Sequence, residues 1–170
     1  DHDQVGIGMD DGNVVVRHPV SAAELHVVHT FKHKADVQAI AMNANWVASG
    51  GNDKMVIVHD LTTGEVVYKC EHAGWVYGIA MNDKYLAAGG RDGQLVLRDL
   101  NNGHVLGRYK HWGGQSGPQK KGGGVFSTKS ESTLSDSGWL ICVALTDDLL
   151  VCSGMDGRMI VQELPSGKII

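Results

Sequence analysis

The chain has 170 residues, 42% of them hydrophobic and 20% charged, with a net charge of −4. That suits one folded domain or part of one, and the absence of any acidic or basic block gives no electrostatic reason to expect nucleic acid or an anionic membrane as partner. No apolar run approaches the roughly 20 residues of a membrane-spanning helix.

Three cysteines (Cys70, Cys142, Cys152) form an odd, sparse set, which fits a reducing intracellular compartment better than a disulfide scaffold. No Asn-x-Ser/Thr sequon occurs. The chain begins at Asp1 without Met, so the native start is expected upstream, with a targeting segment left open.

In chain order, residues 1–35 read as three strands: Gln4–Met9, Asn13–Arg17 and Leu25–Phe31. A complete four-strand unit follows over 36–73, with Val37–Met42, Trp46–Ser49, Met55–His59 and Glu65–Cys70. The unit over 74–111 repeats it with Trp75–Met81, Tyr85–Ala88, Gln94–Arg98 and His104–Tyr109. The segment 112–137, rich in Gly, Ser and Lys, shows no lasting periodicity and reads as a long loop between units. The last unit, 138–170, has strands Trp139–Leu145, Leu149–Cys152 and Met159–Gln162, then a stub at Lys168–Ile170.

These units are copies of one pattern. WVASGGNDKMVIVHDLTTG at 46–64 returns as YLAAGGRDGQLVLRDLNNG at 85–103 and LLVCSGMDGRMIVQELPSG at 149–167, with a weaker VGIGMDDGNVVVRHP at 5–19. They register on Asp11, Asp53, Asp92 and Asp156, spaced 42, 39 and 64 residues apart. Two of these steps match the roughly 40–45 residues of a four-stranded propeller blade, and the third is one blade plus an insertion. Asp-Gly between apolar runs is a hairpin signal, because both residues tolerate positive φ. The apolar runs after it are continuous rather than alternating, as in strands buried on both faces. The expected class is all-β: a β-propeller of four-stranded antiparallel blades, with about four blades and the first and last incomplete. A blade stacks its wide faces on two neighbours, so an open run of four leaves two apolar faces uncovered. The expectation is a single domain that forms part of a larger propeller, completed by further blades of its own chain or by a second copy.

The turn, an acidic residue seven places after its Asp (Asp60, Asp99, Glu163) and a His before the first strand (His33, His72, His111) resemble the WD-repeat β-propeller family. The resemblance covers nearly everything outside 112–137. The family's Trp is replaced by Arg17, His59, Arg98 and Gln162. The resemblance implies a buried structural network of His, Ser/Thr, Asp and that Trp. Here one unit keeps His33, Ser49 and Asp53; the next has His72 and Asp92 with Ala88 in place of the hydroxyl; the last offers Cys152 and Asp156. It also implies partner docking at the opening of each unit's first strand and at the residue before the turn Asp. By position these are Asp36, Gln38, Trp75, Tyr77, Trp139 and Ile141, with Asp10, Asn52, Arg91 and Met155. Large aromatics there are good binding anchors; the other reading is that both Trp only fill space between blades.

Other chemistry finds less support. His33, Ser49 and Asp53 could suggest a hydrolase triad, but their turn context speaks for structure. Cys70-Glu71-His72 lacks the paired spacing of a zinc site, and the Gly runs at 113–114 and 122–124 lack the strand and helix that frame a phosphate loop. Cys142 and Cys152 are expected on opposite faces of one hairpin as two buried free thiols. The first-strand residues Ala39, Ala41, Gly78, Ala80, Cys142 and Ala144 are expected to line an unreactive central channel. The resulting expectation is a non-catalytic interaction scaffold with protein partners and no metal or cofactor. A permanently assembled structural subunit is the alternative, and an enzyme with a site at the channel a weaker one.

Overall fold

A computed structural model describes residues 4–21, 24–111, 138–164 and 166–170. The segment 112–137 lies outside the described residues, and with it the expected loop, its Gly runs and its Lys and Ser positions. Four antiparallel sheets follow one another along the chain, and no helix occurs among the described residues. The first sheet is β1 (Val5–Gly8), β2 (Asn13–Ser21) and β3 (Glu24–Lys32). The second is β4 (Val37–Met42), β5 (Trp46–Gly51), β6 (Met55–Asp60) and β7 (Val66–Glu71). The third is β8 (Val76–Met81), β9 (Tyr85–Gly90), β10 (Gln94–Asp99) and β11 (Val105–Lys110). The fourth is β12 (Leu140–Leu145), β13 (Leu149–Gly154) and β14 (Met159–Glu163). Strands pair in chain order within each sheet, and β4, β8 and β12 are adjacent to one another in space, so the sheets are successive blades staggered about their first strands.

The repeated Asp closes each tight turn in the same way. Its Oδ1 accepts the backbone N–H two residues on: Asp11 from Asn13 at 2.9 Å, Asp53 from Met55 at 3.0 Å, Asp92 from Gln94 at 3.2 Å and Asp156 from Arg158 at 3.1 Å. The residue after the Asp sits at positive φ, which Gly12, Gly93 and Gly157 meet without a Cβ penalty. Lys54 occupies the fourth such place at φ 64°, the one non-glycine with positive φ among the described residues.

The cores lie between blades. Val14, Val16 and Phe31 of the first blade meet Val37, Val47 and Leu61 of the second. Ala48, Val56 and Val58 of the second meet Val76, Ile79, Leu86, Ala88 and Leu100 of the third. Ala87, Leu95 and Leu97 of the third meet Leu140, Val143, Leu150 and Cys152 of the fourth. The continuous apolar runs follow from this: β6 and β10 have a neighbour on each face and are buried throughout Val56–His59 and Leu95–Arg98. In β2 and β14, with one neighbouring blade in this chain, burial is one-sided; Val14 and Val16 are sealed, whereas Met159 is 69% exposed.

At the rim opposite the Asp turns, asparagines stitch the blades together. Asn43 donates from Nδ2 to Asn82 O (3.4 Å) and Asp83 Oδ1 (3.2 Å), and Asn82 donates to Thr146 O (3.1 Å) and Asp147 Oδ1 (3.2 Å). Each Asn also uses its Oδ1 to cap its own turn.

Several expectations need correction. β2 runs on to Ser21 and β3 starts at Glu24, past the expected ends. Pro19 stands where β1, which pairs only with Val14–Arg17, has ended, so it has a single strand neighbour, the edge placement that suits proline. Cys142 is exposed and only Cys152 is buried, because Cys142 lies on the face of the last blade turned away from the third. Ala39, Ala41, Gly78 and Ala80 pack against the next blade rather than lining a channel, since strand side chains alternate between the two faces of a sheet. The stub expected at Lys168–Ile170 is present as one isolated antiparallel bridge, Gln162 with Ile169.

Candidate docking surface

Just beneath the tight turns, three blades hold a His–Asp set. His33 bonds Asp53 Oδ2 through Nδ1 at 2.9 Å and Ser49 Oγ through Nε2 at 2.8 Å, and Asp53 also accepts the Lys34 N–H. His111 places Nε2 3.0 Å from Asp156 Oδ1 and Nδ1 3.6 Å from Cys152 Sγ, so the thiol stands where the second blade has its hydroxyl. His72 Nδ1 lies 3.3 Å from Asp92 Oδ2 without hydrogen-bond geometry, and with Ala88 at the hydroxyl position its buried Nε2 also has no hydrogen-bond partner. Burial works against ionisation of Asp92; the neighbouring His72, 3.3 Å away, and the Gln94 N–H outweigh it and hold the carboxyl below its ordinary value. Where the family has its Trp, His59 stacks on Phe31 at 3.7 Å, Arg98 donates to Gly103 O at 2.9 Å and Gln162 is buried. Desolvation, then the charges of His33, Lys69 and His29, lower the His59 pKa to about 4.

Nucleophilic chemistry is a poor use of these sets. Ser49 is 1% and Cys152 3% exposed, so neither presents its side chain to a substrate. Desolvation pushes the Cys152 thiol up to about 11, which keeps it protonated at neutral pH.

On the turn side the blades present a different arrangement. The backbone N–H before each turn Asp donates to the carbonyl of the residue opening the first strand: Asn52 to Asp36 (2.9 Å), Arg91 to Trp75 (2.9 Å) and Met155 to Trp139 (3.0 Å). That close approach accounts for the Gly pairs of the repeat: a Cβ on Gly51 or Gly90 would run into the carbonyl oxygen of Asp36 or Trp75. It also sets the candidate side chains beside one another. Asn52 bonds Asp36 through its side chain at 3.2 Å. In the third blade Arg91 lies over the Trp75 ring at 4.5 Å and also over the Trp139 ring of the next blade at 4.8 Å. Tyr77 meets Trp75 edge-on at 6.4 Å and Trp139 at 6.1 Å.

Four of the ten positions thus converge: Trp75, Tyr77, Arg91 and Trp139. Asp36 and Asn52 form a separate pair, and Asp10, Gln38, Ile141 and Met155 are exposed. The Trp rings are half-buried and pack across the joint between blades, so their bodies fill space while the cluster keeps an open side. Sequence reasoning missed Lys54, which with Ala73, Gly74, Trp75, Arg91 and Asp92 lines a depression of about 340 Å³. The available signal was the Lys itself, standing where the three other copies read Asp-Gly.

Blades staggered about their first strands, each closed by the same Asp turn, define a segment of β-propeller. The WD40 family model (WD domain, G-beta repeat) matches residues 25–60, from β3 to the end of β6. Solved structures agree on the fold. The structure of U3-55K superposes with a TM-score of 0.74 at 14% identity, covering 98% of this chain and 47% of that one. The RRP9 WD40 repeats give 0.73 at 14% identity, covering 98% and 46%. The computationally designed Ika4 protein gives 0.70 at 18% identity, covering 96% and 86%. The chain therefore spans about half the length of U3-55K and RRP9. No curated protein matches it by sequence.

Proposed function

We propose that the chain is a non-catalytic docking module, part of a propeller that presents the turn rim of its second to fourth blades to protein partners. The observation that carries this reading is the Trp75–Arg91–Trp139 stack with Tyr77. It joins two blades, holds an exposed guanidinium in a fixed place and combines residue types enriched at interaction hot spots. The net charge of −4 supports protein over nucleic acid as the partner class. The free thiols of Cys70, Cys142 and Cys152 support a reducing, intracellular setting. Completion of the ring by further blades, or by a second copy, belongs to the same proposal.

The test compares partner capture by the wild-type protein with that by Trp75→Ala and Trp139→Ala at matched melting temperature. Loss of the same partners from both variants supports the surface. Unchanged capture by both refutes it.

A further inference from the structure

The depression beside the aromatic stack has a charge character of its own. Lys54 reaches it from the β5–β6 turn, Arg91 from the β9–β10 turn, and Ala73-Gly74 form a floor without side-chain bulk. Among the described residues neither cation has an ion-pair partner. The one carboxylate lining the depression, Asp92, is engaged by His72 and by the Gln94 N–H, with its side chain 14% exposed. Two features fix the cations. Arg91 has its flat face covered by Trp75 and Trp139, which leaves the edge N–H donors to a ligand. Lys54 takes a backbone conformation that costs a non-glycine residue energy, at a place where the other three turns have Gly.

We propose that this depression holds the carboxylate of a Glu or Asp side chain from a partner peptide, with Arg91 as its donor fork and Lys54 as the second cation, while a neighbouring apolar residue of the peptide lies on Trp75. The proposal rests on the docking reading above and names the partner's chemistry. A monoanionic carboxylate suits the site better than a phosphate, because Asp92 borders the depression and its charge opposes a dianion more strongly.

The experiment uses fluorescein-labelled peptides of one length and one apolar frame, carrying Glu, Gln, Lys or phosphoserine at the same central positions, titrated against the protein by anisotropy. The Glu peptide is expected to bind at least about tenfold more tightly than the Gln and Lys peptides, since a charge-assisted hydrogen bond is at stake, and to weaken as salt rises. Arg91→Ala should bring the Glu peptide down to the Gln level, Lys54→Gly should lower it by a smaller factor, and Arg91→Lys should fall between wild type and Arg91→Ala. Both side chains are exposed, so an unchanged melting curve for the Arg91 variants and an unchanged or raised one for Lys54→Gly serve as the folding control. Tighter binding of the phosphoserine peptide with the same dependence on Arg91 would overturn the carboxylate assignment. Equal binding of the Glu and Gln peptides, lost in Trp75→Ala, would overturn the acidic reading and leave the docking surface standing. If no peptide binds while Trp75 and Trp139 still govern partner capture, the acidic site alone is wrong; if both fail, the docking reading falls with it.

Discussion

Replacing Ala88 by Ser should make the protein more stable, although it puts a hydroxyl into a core position. Ala88 is 2% exposed, and the buried Nε2 of His72 has no partner in the place where Ser49 serves His33 at 2.8 Å. An unmet buried polar group costs about 1–3 kcal/mol. The new hydroxyl would accept from His72, and its own proton has a carbonyl to turn to, as Ser49 has Ile57 O at 3.5 Å; Val96 is the paired residue in the third blade. Offsetting the desolvation of the hydroxyl leaves a net gain of about 1 kcal/mol. The opposite change, Ser49→Ala, orphans His33 and should cost about 1–3 kcal/mol. Urea unfolding at constant m reads both as shifts of the midpoint. A lowered or unmoved midpoint for Ala88→Ser, with Ser49→Ala also neutral, would refute the view that these polar sets contribute to stability through hydrogen bonding.

Further outcomes follow from other residues. Lys54→Gly should raise stability by about 0.5–1 kcal/mol, as relief of the left-handed conformation exceeds the entropic cost of Gly; a lower urea midpoint would contradict it. His59 has a folded-state pKa of about 4 against 6.5 for the free group, so between those values the unfolded chain binds more protons. Its contribution is complete above pH 6.5 and is lost as pH falls toward 4, and His59→Phe should flatten that part of the stability–pH curve. Equal slopes for the two proteins would remove His59 as the cause. Asn82→Asp keeps the turn-capping oxygen but replaces the interblade donor by a carboxylate facing Asp147, so it should cost about 1–2 kcal/mol more at neutral pH than at pH 3. A pH-independent cost would place the loss in the turn instead.

The fold was legible because its signals are local and repeated. Asp-Gly turns, Gly pairs and apolar runs each depend on a few adjacent residues, and the spacing of Asp53 and Asp92 counts the strands between them. The adjacency of Trp75 to Arg91, and of Asp36 to Asn52, was legible for the same reason, since one backbone bond of the repeat sets it. What joins different blades was not. The contact of Arg91 with Trp139 joins residues separated in sequence by 112–137, which carries no copy of the repeat, and no local pattern announces it. The extension of β2 through Pro19 depends on how short β1 is. The exposure of Cys142 depends on which face of the last blade has a neighbour, a property of the assembly that composition and spacing do not carry.

The asparagine stitching has a further consequence. Asn43 and Asn82 tie the second blade to the third and the third to the fourth from one rim, so those joints do not rest on the opposite rim alone. Its turns already carry different side chains at equivalent places, Asn52, Arg91 and Met155, while the asparagine ties on the far rim are shared by successive blades. A chain arranged this way separates the heritable freedom to change what it grips from the constancy of its frame, and libraries that vary only those three places should keep their architecture while diverging in recognition.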